Sequence, residues 1–330
     1  MSGQLIPLGD RAGWEAALDG IPHGFTHTWE HCNALSLTTG RSTFLWSSGT
    51  DGDGVVCPFM ERPFDDFIDI ATPPGVAGFA GTGDAGRLRG EWAGFVRDRR
   101  YVSGYFGLHP VFCPPAWQTG STPYNSLYII DLQQSSDSLL QRMDRNRRRE
   151  LRAHGELSDR IIMDRVRLCR YLTDNYSAFA NRIALPEAER WTSATLRSYC
   201  DASAVLLLGM EGPDGIVAAH LYAYSPYAAD FVLQIADPDG RQYTTMLTWH
   251  AIELLKAKGV PRLNLGGGVD EGDAIARAKR RMGADRHVLM ALREVYDRDA
   301  YTLLCRRTGQ NPESPGYFPA YRRAIASAVS

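Results

Sequence analysis

Lysine is scarce in this chain. Of its 36 basic residues only Lys256, Lys258 and Lys279 are lysine. A lysine that persists in so arginine-rich a background can serve where a compact ammonium is needed and a planar guanidinium does not substitute. Lys279 lies in RLNLGGGVDEGDAIARAKRRMGA, residues 262–284, which reads as a strand, a turn at Gly266, Gly267 and Gly268, and a helix. Ile275, Lys279 and Met282 are spaced i, i+4, i+7 and share one helical face, whereas Arg277, Arg280 and Arg281 fall mostly on the other. A lysine on an inward face snorkels, pairs, or lines a polar cavity. The glycines let a substrate backbone come close. Asp270, Glu271 and Asp273 at the helix start would repel a phosphate, and they read as a cap that complements the helix dipole.

A second constellation is RMDRNRRRELRAHGELSDR, residues 142–160, where Arg142, Arg145, Arg147, Arg148, Arg149 and Arg152 concentrate positive charge. With Arg280 and Arg281 it could grip the phosphates of an RNA or of a nucleotide-linked substrate; it could equally be a solvated helix face, partly offset by Asp144 and Glu150. Between a strand at 229–236 and a helix at 244–258 lies DPDGRQYTTML. A coenzyme A pyrophosphate loop of the form (R/Q)xxGx(G/A) belongs at such a turn. Gln242 is present, but Thr245 and Leu247 occupy the positions that loop reserves for small residues, which argues against an ordinary coenzyme A donor. His23, His27 and His31 are four apart but lack the HExxH order and a third ligand, so no metal site is expected. His109, before Pro110 at a strand end, is the better polar-site candidate.

The elements that must position these residues alternate. Helices are expected near 14–20, 27–38, 88–99, 136–154, 164–180, 187–200, 244–258 and 270–282, and strands near 43–47, 54–60, 101–108, 127–132, 203–210, 216–224, 229–236, 262–265 and 288–295. Residues 72–86, rich in Gly, Pro and Ala, read as loop, and a short helix is expected at the very end. Each half has the content of one mixed-sheet α/β domain. The expected division is 1–145 and 146–330, with the tail 311–330 free to pack on the first half.

At 330 residues and a net charge of −2, the chain can bury two cores and carries no bulk attraction for a polyanion. The six cysteines are scattered, without a CxxC, and read as reduced packing residues. No apolar run reaches the length of a signal core or a membrane span. A cytoplasmic protein without a membrane partner is expected.

Trp249 to Gly268, WHAIELLKAKGVPRLNLGGG, followed by Lys279-Arg280-Arg281-Met282-Gly283, resembles the FemABX peptidyltransferases, whose pattern runs helix, KG, a strand ending in LGG, then KxxF/MG. Tyr101 to Pro110 and Asn146 to Leu151 are similar to that family's first-domain strand and second-domain basic turn. The resemblance implies two GNAT-like α/β domains in tandem with a cleft between them. It implies transfer of an amino acid from aminoacyl-tRNA to a free amine of a small peptide, a nucleoside antibiotic or a cell-wall precursor, with no other cofactor. By resemblance Lys279 would stabilise the oxyanion of the tetrahedral intermediate. His109 is the candidate base, and Arg145, Asn146, Arg147, Arg148, Tyr222, Gln242, Gly266, Gly267 and Arg280 are the candidate substrate contacts. Gly107-Leu108-His109 stands where the family usually has an arginine, so acceptor recognition is expected to differ. An acyl-CoA-dependent N-acyltransferase and a non-catalytic RNA- or precursor-binding module are the alternatives.

Overall fold

The computed structural model describes residues 3–50, 53–83, 85–270, 272–314 and 316–323. In chain order the elements are β1 (Gln4–Pro7), α1 (Arg11–Leu18), α2 (Trp29–Thr39), β2 (Thr43–Thr50), β3 (Asp53–Phe64), β4 (Phe67–Ala71), β5 (Ala80–Gly81), α3 (Ala85–Asp98), β6 (Ser103–Leu108), α4 (Pro115–Gln118) and β7 (Thr122–Asp131). They continue with α5 (Ser136–Arg142), α6 (Arg145–His154), β8 (Ile161–Ile162), α7 (Arg165–Arg182), α8 (Ser193–Asp201), β9 (Val205–Gly212), β10 (Gly215–Tyr224), β11 (Ala229–Ala236), α9 (Thr244–Ala257), β12 (Arg262–Asn264), α10 (Ala274–Arg281), β13 (Asp285–Val295) and α11 (Arg298–Arg307).

Two compact units emerge. The first holds Met1–Tyr124, Leu185–Trp191 and Leu289–Ser330; the second holds Asn125–Ala184 and Thr192–Val288. This grouping differs from the expected division at 145: its cut falls within β7, and two later segments join the first unit. In the first unit the strand order is β1-β2-β3-β4-β6-β13, with β5 against β3. Met290 to Val295 of β13 run antiparallel to Leu108 to Ser103 of β6. Aromatic rings fill its core: Trp46, Phe59, Phe79, Trp92, Phe106 and Trp117 are buried together, and Phe79 stacks on Trp117 at 3.5 Å. Tyr321 joins a satellite cluster with Val102 and Leu304.

In the second unit the order is β7-β12-β11-β10-β9-β8. Strands β9 and β10 are buried along most of their length, which accounts for their continuous apolar runs. Leu208, Met210, Leu247, Ile252, Leu255 and Leu263 form the core between the sheet and α9.

Local differences from the sequence reading have local causes. The expected helix 136–154 breaks at Met143, because Asp144 turns back to accept the N–H of Asn146 at 2.9 Å and starts α6 afresh. The expected helix 270–282 starts only at Ala274, because Asp273 is its N-cap and accepts from Ala276 at 2.7 Å. The loop 72–86 hides β5, whose Ala80 pairs with Val56. Residues 51 and 52, between the strands expected near 43–47 and 54–60, Glu271 and the terminal helix expected beyond 323 lie outside the described residues. Among the described residues, no helix is long and apolar enough to cross a membrane.

Candidate functional site

Parallel strands β11 and β12 pair only at Ala229↔Leu263 and Asp230↔Asn264. Beyond Asn264, β12 ends while β11 runs on to Ala236, so the two part and the chain turns through Gly266, Gly267 and Gly268. That turn is held from several sides. Asn264 Oδ1 accepts the N–H of Gly266 at 2.8 Å, the carbonyl of Gly266 accepts from Tyr128 at 3.1 Å, and Asn125 Nδ2 donates to Gly268 at 3.1 Å.

Lys279 reaches this turn from α10, its ammonium donating to the carbonyl of Gly267. Gly266 has φ +80°, which favours glycine, and a Cβ there would stand 3.1 Å from the Lys279 ammonium and press on it. Burial lowers the Lys279 pKa from 10.5 to about 8, against the opposing pull of Asp273. The apolar stripe expected around it is only partly formed: Ala276 and Met282 are buried, whereas Ile275 is 47% exposed.

Sequence reasoning missed the group behind the turn. Asp230 Oδ1 accepts from Asn264 Nδ2 at 2.8 Å, and its other oxygen is buried without a partner. Burial raises this carboxyl to about 6, with the Asn264 bond acting against it. Asp230 thus fixes the amide that fixes Gly266.

At the start of α9, Thr245 and Leu247 are fully buried. The Thr245 hydroxyl donates to Glu150 at 2.6 Å and accepts from Arg147 at 3.0 Å, while Arg147 also pairs with Glu150 at 2.8 Å. Burial pushes the Glu150 carboxyl up, but the bonds from Thr245 and Arg147 outweigh it and hold it below its ordinary value. A carboxylate and two branched side chains thus fill the helix end. At Gly240 a Cβ would meet the Val217 carbonyl at 2.0 Å.

The other expected site residues separate. Arg145 and Arg148 line a groove against α9. Arg280 lines a smaller basic hollow with Arg142, Arg277 and Arg281, and Asn146 is exposed in the first turn of α6. Gln242 is exposed and donates to the Asp239 carbonyl at 2.9 Å. Tyr222, expected to touch substrate, is a core residue: it is fully buried, stacked on Phe231 at 4.6 Å, and its hydroxyl is engaged by His220 and Thr248. His109 belongs to the first unit; it is buried, its Nδ1 accepts the Val111 N–H at 3.2 Å, and its ring lies 4.5 Å from Phe112. His27 and His31 bond to the carbonyls of Gly78 and Pro74 and pin that loop. Among the described residues no cluster of His, Cys, Asp or Glu could hold a metal ion.

The chain matches the acetyltransferase (GNAT) domain family over residues 140–280, which include the Gly266–Gly268 turn, Lys279 and the start of α9. A crystal structure of FemX superposes with a TM-score of 0.67 at 9% identity, covering 92% of this chain and 99% of that one. The chain therefore has the fold of FemX, and its residues 140–280 match the GNAT domain. The chain also shares its fold with the C-terminal domain of a putative lysylphosphatidylglycerol synthetase from Agrobacterium fabrum (TM-score 0.54, 11% identity, 94% of this chain and 99% of that one). L-PGS from Bacillus licheniformis is similar to the same degree (TM-score 0.54, 11% identity, 91% and 95%). By sequence, no curated protein matches the chain.

The first unit holds a pocket of about 720 Å³ that no local sequence signal announced. Its charge is unbalanced. Arg62 and Arg322 both donate to the fully buried Asp69, each at 2.6 Å, and Arg62 Nη2 is buried with no partner. Arg41 opens onto the same pocket; burial, then Arg62 and Arg322, hold its pKa below the ordinary value. Three guanidinium groups thus stand against two carboxylates, the buried Asp69 and the exposed Glu189, among Tyr105, Trp191 and Tyr317, an environment with room for one further anion attached to a flat or apolar body.

Proposed function

We propose that this acyltransferase moves an aminoacyl group from aminoacyl-tRNA to the primary amine of a small peptide, nucleoside or cell-wall-type acceptor that carries an anionic group. The observation that carries the choice of donor is the filled start of α9. A GNAT that uses acyl-CoA needs open backbone N–H groups there for the pyrophosphate. Glu150, held by Arg147, and the buried Thr245 and Leu247 put side chains in that place, so a pyrophosphate would meet steric obstruction. These residues do not fit coenzyme A, and no step is assigned to it. A ribose ester is already activated and needs orientation and oxyanion stabilisation above all.

In the reaction the acceptor nitrogen attacks the ester carbonyl, a C–N bond forms and the carbonyl oxygen becomes an oxyanion. The tetrahedral species collapses, the C–O bond to the terminal ribose breaks, and the proton lost by the amine ends on the departing ribose hydroxyl. Lys279, at the Gly266–Gly267 turn, supplies the positive charge for the oxyanion, and Asp230 and Asn264 position that turn. His109 takes no part, because its accepting nitrogen is committed to Val111. A charged-tRNA donor places the reaction in the cytoplasm.

The test is a pooled charged-tRNA reaction with a panel of anionic amines, read by mass spectrometry, beside acetyl-CoA reactions read by thiol release. An amide product from charged tRNA with no thiol release is expected. Product from acetyl-CoA alone would overturn the donor assignment, and RNA binding with no product from either donor would replace it with a non-catalytic role.

A further inference from the structure

Helix α6, the turn Gly155–Arg160 after it and α9 enclose a groove of about 760 Å³. Its floor is apolar, with Leu151, Met246 and Trp249, and its edge carries Arg145, Arg148 and Arg152. Trp249 is half-buried and packs on the core of the second unit. Among the described residues no ion pair neutralises the three arginines. By contrast Arg147, on the same helix, is tied to Glu150 and Thr245.

The spacing of the arginines distinguishes the ligands such a groove could take. Positions 145, 148 and 152 are i, i+3, i+7, one face of a helix, and at 1.5 Å per residue their Cα atoms span about 10 Å. A single phosphate headgroup can satisfy one or two guanidinium groups at a point. Three spread along an edge suit a chain of phosphates. An indole open to the groove beside such a row is the arrangement that stacks unpaired bases while the backbone runs along the cations.

We infer that this groove binds the unpaired nucleotides at the end of the RNA donor, with a base on Trp249 and successive phosphates on Arg145, Arg148 and Arg152. The inference rests on the donor proposed above and assigns a separate binding surface to it. The groove lies on α6 and α9, whereas the reacting carbonyl is assigned to the turn between β12 and α10.

The experiment uses the full chain with three probes: deacylated tRNA, a short single-stranded RNA, and phosphatidylglycerol vesicles. Trp249→Ala should weaken binding of both RNAs by roughly 10- to 100-fold with little change in salt dependence, while Trp249→Phe, which keeps a ring and the packing, should recover most of it. Replacing Arg145, Arg148 and Arg152 by Gln should flatten the slope of log K against log salt by about 2, at about 0.7 per phosphate contact on a single strand. Unchanged RNA affinity and slope in these variants would overturn the inference, as would vesicle binding that they abolish while RNA binding persists. Turnover separates the two proposals. If wild type forms amide from charged tRNA and the variants keep its KM, the groove assignment fails and the transfer reading stands. If wild type forms no amide but the variants lose RNA binding, the reverse holds.

Discussion

The ammonium of Lys279 sits at its turn at an energetic cost, and Lys279→Met measures it. Moving a lysine pKa from 10.5 to about 8 costs the folded state about 3 kcal/mol at neutral pH, at 1.36 kcal/mol per pH unit. The bond to the Gly267 carbonyl returns about 1 kcal/mol. A methionine of similar length is relieved of the charge and forfeits the bond, so Lys279→Met should be more stable than wild type by about 1–2 kcal/mol at pH 7. The sign follows from proton linkage. Between about pH 8 and 10.5 the unfolded lysine binds a proton that the folded one has shed, so wild-type stability rises with pH through that window and the advantage of the variant shrinks. Urea unfolding at pH 7 and pH 10, with turnover measured on the same samples, is the assay. Turnover should fall by about 10²–10³, the usual loss of one oxyanion donor. A variant less stable than wild type at pH 7, or an advantage that does not change with pH, would refute the burial argument; near-normal turnover would remove Lys279 from the chemistry.

Three further outcomes are expected. Asp69→Ala leaves Arg62 and Arg322, 11% and 12% exposed, without their shared carboxylate and should destabilise by about 3–5 kcal/mol in urea. Burial holds His27 at about 3 and His31 at about 4, below their ordinary 6.5. Their contribution is full above pH 6.5 and is lost as pH falls toward 4, by about 1.4 kcal/mol per pH unit for each, so a pH series of thermal melts should fall on the acid side and be flatter for His31→Gln. Burial pushes the thiols of Cys32, Cys57, Cys113, Cys200 and Cys305 upward, Cys113 to about 12; a thiol reagent should therefore label at most Cys169 quickly in the native protein and all six cysteines after denaturation.

Features carried by neighbouring residues were legible in the sequence. The strands near 203–210, 216–224 and 229–236 and the helix before Gly259 stand where periodicity and punctuation put them. The glycine turn and Lys279 are only 12 residues apart, within reach of a strand-turn-helix reading. The bond from Arg322 to Asp69 spans 253 residues, and the bond between Asp230 and Asn264 spans 34; no local pattern encodes either. Tyr222 misled for a different reason. An aromatic on an alternating strand suits a pocket or a core equally, and only the burial of β10 on both faces decides. The basic stretch 142–160 hid the division of its arginines, since whether a charge is spent or open depends on partners such as Thr245, 98 residues away.

The first unit takes its last strand and the Tyr321 anchor from residues beyond 288. On the ribosome, therefore, the half that is synthesised first is finished last. Until β13 emerges, the edge of β6 that it pairs with lacks its hydrogen-bonding neighbour, so a nascent chain that has cleared the exit tunnel only to about residue 288 should carry a completed second unit and an unfinished first one. The same order makes the C-terminal segment a poor place for truncation: removing it deletes part of the N-terminal sheet.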